Sequence, residues 1–354
     1  MPSPARLAAF DILHRVETGA YASDLLLAQT AAFDARDAGL AAEIVFGVLR
    51  YRAQLDYLIE HYSGRRGKLD IEVRIALRMA IYQLRYLERI PSHAAVADSV
   101  DLVKRAHKRS ATGFVNAVLR KVTREPAPWP SREVALSCPE WLLARWEKHF
   151  GAEAAAGIAR AALEEPEKYV RISSAGERRQ DIGSQSIVPL LRLEAGQTFL
   201  DLCAAPGNKT AQALEAGVRA IAADLRFHRL RQLKPLDAGL VVLDGTQPLP
   251  FGRGFDRILV DAPCSGTGTL GRNPEIKWRL KPADLDDLHG RQTALLRNAL
   301  ALLKPGGILV YSTCSLEPEE NEEVVAARAT QTMQRIPGRD AGDGFYAAVI
   351  EGRQ

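Results

Sequence analysis

The spacing of apolar residues changes midway along the chain, and this change constrains the fold more than any other feature of the sequence. Over residues 4–124 apolar side chains recur at intervals of three and four, which predicts amphipathic helices. From about residue 170 short apolar runs alternate with helical segments, which predicts a mostly parallel sheet with helices on both faces. Between the two patterns, residues 125–130 contain three prolines, and proline interrupts helices.

We therefore predict an all-helical domain at residues 1–128, a linker with connecting helices at 129–170, and a Rossmann-like α/β domain at 171–354. The first domain should be a bundle of six or seven helices. In the α/β domain we expect strands at 198–203, 219–223, 239–243, 256–261, 307–312 and 345–350. We expect helices near 139–150 and 152–163 in the linker, and near 184–192, 208–216, 284–303 and 318–328 beyond it.

Two bulk features disfavour several classes of protein. The 354 residues contain no apolar run of membrane-spanning length, and residues 1–20 form an amphipathic pattern rather than a signal peptide. The four cysteines, Cys138, Cys203, Cys264 and Cys314, are widely spaced, with no CxxC pair and no histidine at zinc-ligand spacing. We therefore expect no metal, no membrane association and no disulfide framework, and we expect a cytoplasmic location.

Positive charge is concentrated in the first part of the chain. The net charge is +4 at pH 7, and residues 1–130 contain 19 Lys and Arg against 14 Asp and Glu. Seven of these cations lie between Lys104 and Arg124, a stretch without acidic residues. Such a run is typical either of a solvated helix face or of a phosphate-binding surface.

A cofactor loop is predicted at residues 199–210, which read Phe-Leu-Asp-Leu-Cys-Ala-Ala-Pro-Gly-Asn-Lys-Thr. This is a strand, a loop of small residues and a helix start. Small residues let a ligand approach the backbone, and a helix start presents free N–H groups. The loop matches neither GxGxxG nor a Walker A motif, which disfavours a dinucleotide.

Two acidic residues, Asp224 and Asp244, end the next two predicted strands. A carboxylate in the position of Asp224 can accept hydrogen bonds from both ribose hydroxyls of a nucleoside, and Asp244 could meet the adenine edge. The loop and the two acids, in this order, predict an adenosine-containing cofactor. The alternative is a Rossmann-like scaffold whose Asp residues only cap the strand ends.

Two thiols, Cys264 and Cys314, follow later strands of the same sheet. They lie in Asp261-Ala-Pro-Cys-Ser-Gly-Thr-Gly and in Tyr311-Ser-Thr-Cys-Ser. Either cysteine alone is most simply a small buried hydrophobe. Together, in polar loops at the sheet edge where open α/β folds bind ligands, they indicate a reactive site. A thiolate that adds to carbon 6 of a cytosine makes carbon 5 nucleophilic enough to accept a methyl group.

The cofactor loop and the two thiol motifs resemble those of the cytosine-C5 RNA methyltransferases of the Sun/RsmB family. The first 124 residues resemble the NusB-like RNA-binding domain, through Glu43-Ile-Val-Phe-Gly-Val-Leu-Arg-Tyr51, Tyr82-Gln-Leu-Arg-Tyr86 and Gly113-Phe-Val-Asn-Ala-Val-Leu-Arg120. The resemblance implies a monomer that methylates a cytidine of 16S, small-subunit ribosomal RNA. The alternative is an RNA-binding assembly or antitermination factor whose methyltransferase half is weak or inactive.

The resemblance also implies roles for individual residues. S-adenosylmethionine would be the cofactor, held by Cys203, Ala204, Ala205, Pro206, Gly207, Asn208, Lys209, Asp224, Asp244 and Asp261. Cys314 would be the nucleophile and Cys264 the thiol that assists proton removal and product release. Asp261 could also hydrogen-bond the protonated ring nitrogen N3.

Several other positions call for separate expectations. Asn208 stands where the family usually has glycine, and we expect asparagine to tolerate a left-handed backbone there. Residues 173–179 replace most of a ferredoxin-like subdomain of several dozen residues, so the RNA-guiding surface should be reduced. Residues 271–279 mix basic and aromatic side chains, which suits either a flipped nucleotide or an ordinary surface loop. The acidic run 316–322 is expected to be a helix start without catalytic function, and His93 and His289 are expected to be structural and without partners.

Overall fold

A computed structural model describes residues 2–64, 67–125, 128–173, 176–252 and 254–352. The chain forms two compact units. The first, called the helical unit below, comprises Met1–Glu165 and Leu270–Arg279. The second, called the α/β unit, comprises Pro166–Thr269 and Leu280–Gln354. The predicted α/β domain thus contributes a ten-residue segment to the helical unit. The predicted linker 125–130 includes residues 126 and 127, which lie outside the described residues.

The helical unit is a bundle in which amphipathic helices bury one apolar core. Its helices within residues 4–124 are α1 (Pro4–Glu17), α2 (Ala22–Gln29), α3 (Ala35–Arg50), α4 (Arg52–Ser63), α5 (Ile71–Tyr86), α6 (Ser92–Arg105) and α7 (Thr112–Leu119). The described residues of this range therefore contain the seven helices that the periodicity allowed. Three more follow as α8 (Arg132–Ala135), α9 (Glu140–Phe150) and α10 (Ala152–Ala161), so both predicted linker helices are confirmed.

Helix α3 illustrates how the sequence specifies this bundle. Asp34 begins the helix, because its carboxylate accepts a hydrogen bond from the Asp37 N–H and so caps a free donor. Ile44 and Val48, four residues apart, are fully buried on one face. Gly47 lies on the same helix, where an added Cβ would meet the ring of Tyr82. Only glycine therefore allows α3 and α5 to pack so closely.

The α/β unit is built on a seven-stranded sheet. After a separate hairpin of β1 (Val170–Ser173) and β2 (Gly176–Arg179), the sheet strands are β3 (Thr198–Asp201), β4 (Arg219–Asp224), β5 (Ala238–Val242), β6 (Phe255–Asp261), β7 (Leu303–Thr313), β8 (Gln331–Arg335) and β9 (Phe345–Glu351). Their order is β5-β4-β3-β6-β7-β9-β8. The first five are parallel, and β9 pairs antiparallel with both β7 and β8. The predicted mostly parallel sheet is confirmed.

Helices cover both faces of this sheet, because its central strands are apolar on both faces. Leu200, Ile258 and Tyr311 face one core, which the long helix α15 completes. Phe199 and Leu259, their neighbours in sequence, face a second core. The helices of this half of the sequence are α11 (Ile182–Gln185), α12 (Asn208–Leu214), α13 (Phe227–Leu230), α14 (Ile276–Arg279), α15 (Pro282–Leu302) and α16 (Glu322–Val325). Of these, α14 belongs to the helical unit.

Several predicted elements differ from the structure. The helix predicted near 184–192 is the short α11 followed by a 3-10 turn at Val188–Leu191. The helix predicted near 318–328 is broken into a 3-10 turn, α16 and a second 3-10 turn, because Asn321 has a non-helical backbone (φ −115°, ψ −96°). Strand β8 and the β1–β2 hairpin were not predicted. Strands β2 and β8 are polar and lack the apolar alternation that identifies strands, and β1 alternates Val-Arg-Ile-Ser over only four residues.

Within the described ranges, no helix is both long enough and apolar enough to cross a membrane. The same residues contain no group of His, Cys, Asp and Glu side chains that could hold a metal ion.

Candidate active site

The predicted site residues follow the carboxyl ends of the five parallel strands. Since these ends share one edge of the sheet, the strand order also orders the residues along that edge. From one side to the middle, the order is Asp244 after β5, Asp224 at the end of β4, and the loop after β3. Beyond the middle come Asp261 at the end of β6 and Cys314 after β7. The acids expected for the cofactor and the thiols expected for the chemistry therefore occupy adjacent halves of one edge.

The cofactor loop turns sharply between β3 and α12. Gly207 supplies the turn with a left-handed backbone (φ 103°), and an added Cβ would lie 2.6 Å from Leu233 Cγ. Both facts restrict this position to glycine. Asn208 is the first residue of α12 and has no positive φ, so the expected left-handed asparagine is wrong. Its side-chain amide instead donates to the Arg179 carbonyl at 3.4 Å.

The two acids beyond β4 and β5 differ in environment. Asp224 accepts from the backbone N–H of Ala205 at 3.1 Å and of Arg226 at 2.9 Å, so it ties the cofactor loop to the end of β4. Asp244 is exposed and accepts from the N–H and hydroxyl of Thr246, and these bonds lower the pKa of its carboxyl. Both retain lone pairs for a ligand.

Apolar surface lies next to Asp224. The side chains of Leu225 and Phe227 are 62% and 63% exposed, which is unusual for residues of this size. An apolar wall beside a carboxylate that can take ribose hydroxyls suits a purine nucleoside. Sequence reasoning missed both residues, although their position directly after a strand-ending acid was a usable signal.

Asp201, at the end of β3, is a third residue that sequence reasoning missed. Its side chain is almost fully buried, and Oδ2 accepts from the Thr210 hydroxyl at 2.6 Å. The other oxygen, Oδ1, is buried without a hydrogen-bond partner in the described structure. Burial raises the pKa of this carboxyl to about 7. A buried acceptor that lacks a partner under the cofactor loop is what a polar ligand group would satisfy.

Asp261 links the cofactor loop to the thiol loops. Its Oδ2 lies 2.6 Å from Lys209 Nζ, and the Lys209 side chain is 10% exposed. Its Oδ1 accepts from the Ser312 hydroxyl at 2.7 Å. Ser312 is paired with Asp261 across β6 and β7, so the strand register itself fixes this contact. The carboxylate remains partly exposed, which leaves it able to reach a ligand.

The two thiols are in contact. Cys264 Sγ and Cys314 Sγ are 3.3 Å apart, and both residues are half-buried. The hydrogen bond with Cys314, together with burial, raises the pKa of the Cys264 thiol. Either sulfur atom can be the donor in this contact. The two thiol motifs lie together, as expected. The separate roles of Cys264 and Cys314 stay predictions.

Glu320 lies behind the thiol loops and was missed because the acidic run 316–322 resembles a helix start. It is fully buried, and burial raises the pKa of its carboxyl. It accepts hydrogen bonds from Ser265, Ser315 and Gln292. His289 has a partner, contrary to one part of its expectation, because its Nδ1 lies 2.6 Å from the Glu319 carbonyl, and this backbone contact fits the expected structural role.

The segment Leu270–Arg279 packs into the helical unit, which contradicts most of its expected use as a nucleotide-binding loop. Lys277 is 1% exposed and donates to the Arg50 carbonyl at 2.9 Å, and burial lowers its pKa to about 8. The Trp278 indole N–H donates to the Leu49 carbonyl at 2.7 Å. The basic and aromatic side chains of this segment therefore donate hydrogen bonds to the last carbonyls of α3.

The basic run from Lys104 to Arg124 is divided between structural and exposed cations. Lys108 pairs with Asp70 at 2.9 Å, and Arg124 donates to the carbonyls of Leu84 and Leu87. Arg105, Arg109, Arg120 and Lys121 are exposed. A groove between α6 and α7 has Lys104, Arg120 and Arg124 in its lining. The run thus contains exposed cations as well as cations that bond to other residues of the helical unit.

Comparison with protein families finds matches to both halves of the chain. Residues 188–332 match the family described as 16S rRNA methyltransferase RsmB/F, and residues 3–124 match the NusB family. The ribosomal RNA small subunit methyltransferase B of Cronobacter sakazakii is 32% identical, over 97% of this chain and 97% of that protein. The probable ribosomal RNA small subunit methyltransferase B of Bacillus subtilis is 32% identical, over 90% of this chain and 86% of that protein.

The fold also matches that of a solved structure. The crystal structure of the protein called PH0851 has a TM-score of 0.79 and covers 99% of both chains, at 21% identity. At this identity the likeness supports the fold alone. The alignment with the Cronobacter protein spans 421 positions, against 354 residues here, so that protein contains residues that this chain lacks.

Proposed function

Because the chain belongs to the RsmB/F family of S-adenosylmethionine-dependent ribosomal RNA methyltransferases, we propose that it methylates carbon 5 of a cytidine in 16S ribosomal RNA through a covalent adduct. The observation that carries this proposal is the contact of Cys264 and Cys314 at 3.3 Å beside the cofactor half of the sheet edge. Methyl transfer to a nitrogen or oxygen atom needs no thiol. Two thiols in contact suit a reaction that makes and then breaks a bond to carbon.

The two thiols have different tasks in the proposed reaction. The Cys314 sulfur, as thiolate, attacks carbon 6 of the base, and the electron pair of the 5,6 double bond makes carbon 5 nucleophilic. Cys264 keeps its proton in the resting state, since its pKa is raised, and acts after methylation. Cys264 then loses its own proton to solvent, and its thiolate takes the carbon 5 proton. The electron pair of the carbon 5–hydrogen bond restores the 5,6 double bond, and the Cys314–carbon bond breaks to return the Cys314 thiolate. Asp261, three residues before Cys264, stabilises the protonated N3 of the adduct.

The cofactor half of the edge fits S-adenosylmethionine. When bound there, S-adenosylmethionine supplies an electrophilic methyl group. Asp224 accepts from the ribose hydroxyls, Leu225 and Phe227 cover the adenine, and Asp244 meets its edge. The buried Oδ1 of Asp201 accepts from a polar group of the ligand. The loop Cys203–Lys209 encloses these groups, and Lys209 holds Asp261 in place through its 2.6 Å ion pair.

We further propose that the helical domain at residues 1–128 binds the RNA and that the protein acts as a cytoplasmic monomer. The NusB family match over residues 3–124 and the exposed cations of α6 and α7 support RNA binding. The β1–β2 hairpin, whose residues 174 and 175 lie outside the described structure, occupies the place expected for most of a second RNA-guiding subdomain.

The proposal is tested by separating adduct formation from release. Cys314→Ala should abolish both methylation and the covalent RNA adduct, because the attacking atom is gone. Cys264→Ala should let a denaturation-resistant adduct accumulate, detected as a shifted band on a denaturing gel. Cys138→Ala, a buried cysteine of the helical unit, serves as the control and should keep activity. An adduct that persists in Cys314→Ala and disappears in Cys264→Ala would reverse the assignment. Bisulfite mapping of ribosomal RNA with and without the protein identifies the modified cytidine.

One observation favours a second candidate. The chain is shorter than the alignment with its relative, which fits an RNA-binding assembly or antitermination factor with a weak methyltransferase half. The two candidates differ in a simple measurement. The enzyme binds S-adenosylmethionine and forms the Cys314 adduct, whereas the assembly factor binds RNA with its affinity unchanged in Cys314→Ala and forms no adduct.

A further inference from the structure

Each thiol of the candidate active site is followed directly by a serine, and the two serines meet at one buried carboxylate. Ser265 follows Cys264, and Ser315 follows Cys314. The Ser265 hydroxyl donates to Glu320 Oε2 at 2.5 Å, and the Ser315 hydroxyl donates to the same oxygen. The serine oxygens themselves are 3.1 Å apart. The two thiol loops therefore share one acceptor one residue away from their sulfur atoms.

The other oxygen of Glu320 binds the first thiol loop a second time. Oε1 accepts from the Ser265 backbone N–H at 2.8 Å and from the Gln292 side-chain amide at 2.9 Å. The same amide of Gln292 donates to the carbonyl of Pro263, the residue before Cys264, at 3.0 Å. Cys264 is thus held on both of its sequence neighbours, through Glu320 and Gln292.

Because these residues are buried, the arrangement is rigid, and removing one hydrogen-bond partner should lower the free energy of unfolding. Glu320, Gln292 and Ser315 are all fully buried, so no solvent can replace a missing partner. All the donors to Glu320 named above are neutral hydroxyl or amide groups, and a carboxylate offers acceptor positions on both oxygens. A glutamine at this position offers only one acceptor oxygen. It can accept from the two hydroxyls or from the two N–H donors at Oε1, but not from both sets, and its NH2 group would face the donors that lost their acceptor.

We infer that Glu320 is a positioning residue that sets the separation of the Cys264 and Cys314 sulfur atoms. This inference rests on the proposed function in one respect, since that reaction is what requires both thiols to reach the same base. Glu320 touches neither the substrate nor the cofactor in this role. It acts through Ser265 and Ser315, and the acidic run 316–322 therefore has a function at the active site that a helix start alone would not give it.

The separation of the sulfur atoms can be measured without RNA or cofactor. Phenylarsine oxide condenses with two thiols that lie close together and releases one water. Wild-type protein should capture one arsenical at Cys264 and Cys314, detected by intact mass and abolished in Cys314→Ala. Glu320→Gln should slow this capture at least about tenfold. A glutamine cannot hold all the donors of the two thiol loops at once, so the loops should then hold the two sulfur atoms at varying separations. Glu323→Gln, an exposed acid on α16, is the matched control and should react as wild type does.

The kinetic prediction is a fall in turnover with unchanged binding. Glu320→Gln should lower kcat by about tenfold to a hundredfold, because misplacing a reacting group by about 1 Å costs on that order. The KM for RNA and the affinity for S-adenosylmethionine should stay within about twofold of wild type, and a merely structural role would move them. If Glu320→Gln does not fold, Ser265→Ala and Ser315→Ala decide, since each removes a single hydroxyl and should slow arsenical capture at a temperature at which the variant is still folded.

The outcomes separate this inference from the proposed function. Slow capture in Glu320→Gln supports the positioning role even if no cytidine is methylated, in which case only the proposed function fails. Wild-type capture and wild-type kcat in a folded Glu320→Gln protein, or in both serine variants, overturn the positioning role and leave the proposed function intact.

Discussion

The protonation of Asp201 should make the stability of the protein depend on pH. Burial raises its pKa to about 7, above the usual value of about 3.9 for an unfolded chain. A carboxyl with a raised folded pKa favours the folded state below the unfolded pKa and loses that contribution as the pH rises through the folded pKa. Without cofactor, Asp201→Asn should therefore melt above wild type at about pH 8, by roughly 2 °C or more. Below about pH 4 the two proteins should melt nearly together, and the difference should grow as the pH rises from about 4 to about 7.

The measurement is thermal unfolding of both proteins across this pH range. Asp237→Asn, an exposed acid in the same unit, is the control and should show the same difference from wild type at each pH. A difference for Asp201→Asn that is independent of pH would mean that Asp201 is already ionised in the folded protein.

Single residues were predictable from sequence where local chemistry decides their position. Cys264 and Cys314 follow apolar strands, so the apolar pattern alone brings them to one sheet edge. Glu320 was not predictable in this way, because its position depends on Ser265 and Gln292, which are 55 and 28 residues away in sequence. Asn208 shows a subtler error, since the need for a left-handed residue was foreseen but belongs to Gly207.

At the level of elements, the exposed cations of α6 and α7 should supply electrostatic affinity for RNA. Arg105 and Arg120 are exposed near the carboxyl ends of these helices, where cations also favour the helix dipole. Replacing both with Gln should weaken RNA binding and flatten the salt dependence, by about 0.7–0.9 in the log–log slope for each phosphate that is no longer neutralised. Cofactor affinity should not change.

The control for this experiment is a pair of exposed arginines elsewhere in the helical unit. Arg36 lies on α3 and Arg160 on α10, and replacing both with Gln removes the same charge. RNA titrations at several salt concentrations separate the two double variants. Equal slopes would mean that the cations of α6 and α7 form only a solvated helix face.

Elements with a strong apolar period were the ones that the sequence predicted well. The core strands β3, β4, β6 and β7 were found because their central residues are buried on both faces and are therefore a short apolar run. The break at Asn321 was missed because its cause is tertiary. The Thr313 hydroxyl donates to the Asn321 side chain, whose amide donates to the Ser315 carbonyl, and these bonds draw the chain inward. Helix propensity contains no information on such side-chain hydrogen bonds to a preceding loop.

At the level of the whole molecule, the sequence order of the domains is not their order in space. Residues Leu270–Arg279 lie between two elements of the α/β unit in sequence but belong to the helical unit. There, side chains of this segment form hydrogen bonds with backbone groups at the start of α2 and at the carboxyl end of α3. The Glu275 carboxylate accepts from the Ala22 N–H at the start of α2, at 3.0 Å, and Lys277 and Trp278 donate to the last carbonyls of α3. Each charge has the sign that the helix dipole favours.

This arrangement predicts that residues 1–165, expressed alone, form an incompletely capped bundle. In that fragment the start of α2 and the carboxyl end of α3 lack their partners, so the amides of these two ends should exchange with solvent faster than in the full chain. Hydrogen exchange followed by mass spectrometry measures both proteins. The amides of residues 75–81, in the buried middle of α5, provide the internal control and should keep their order of protection. Equal protection of the α2 and α3 ends in the fragment and the full chain would contradict the capping role. The same comparison with Glu275→Gln in the full chain should show faster exchange at α2 and unchanged exchange at α3, because only the first of the two caps is removed.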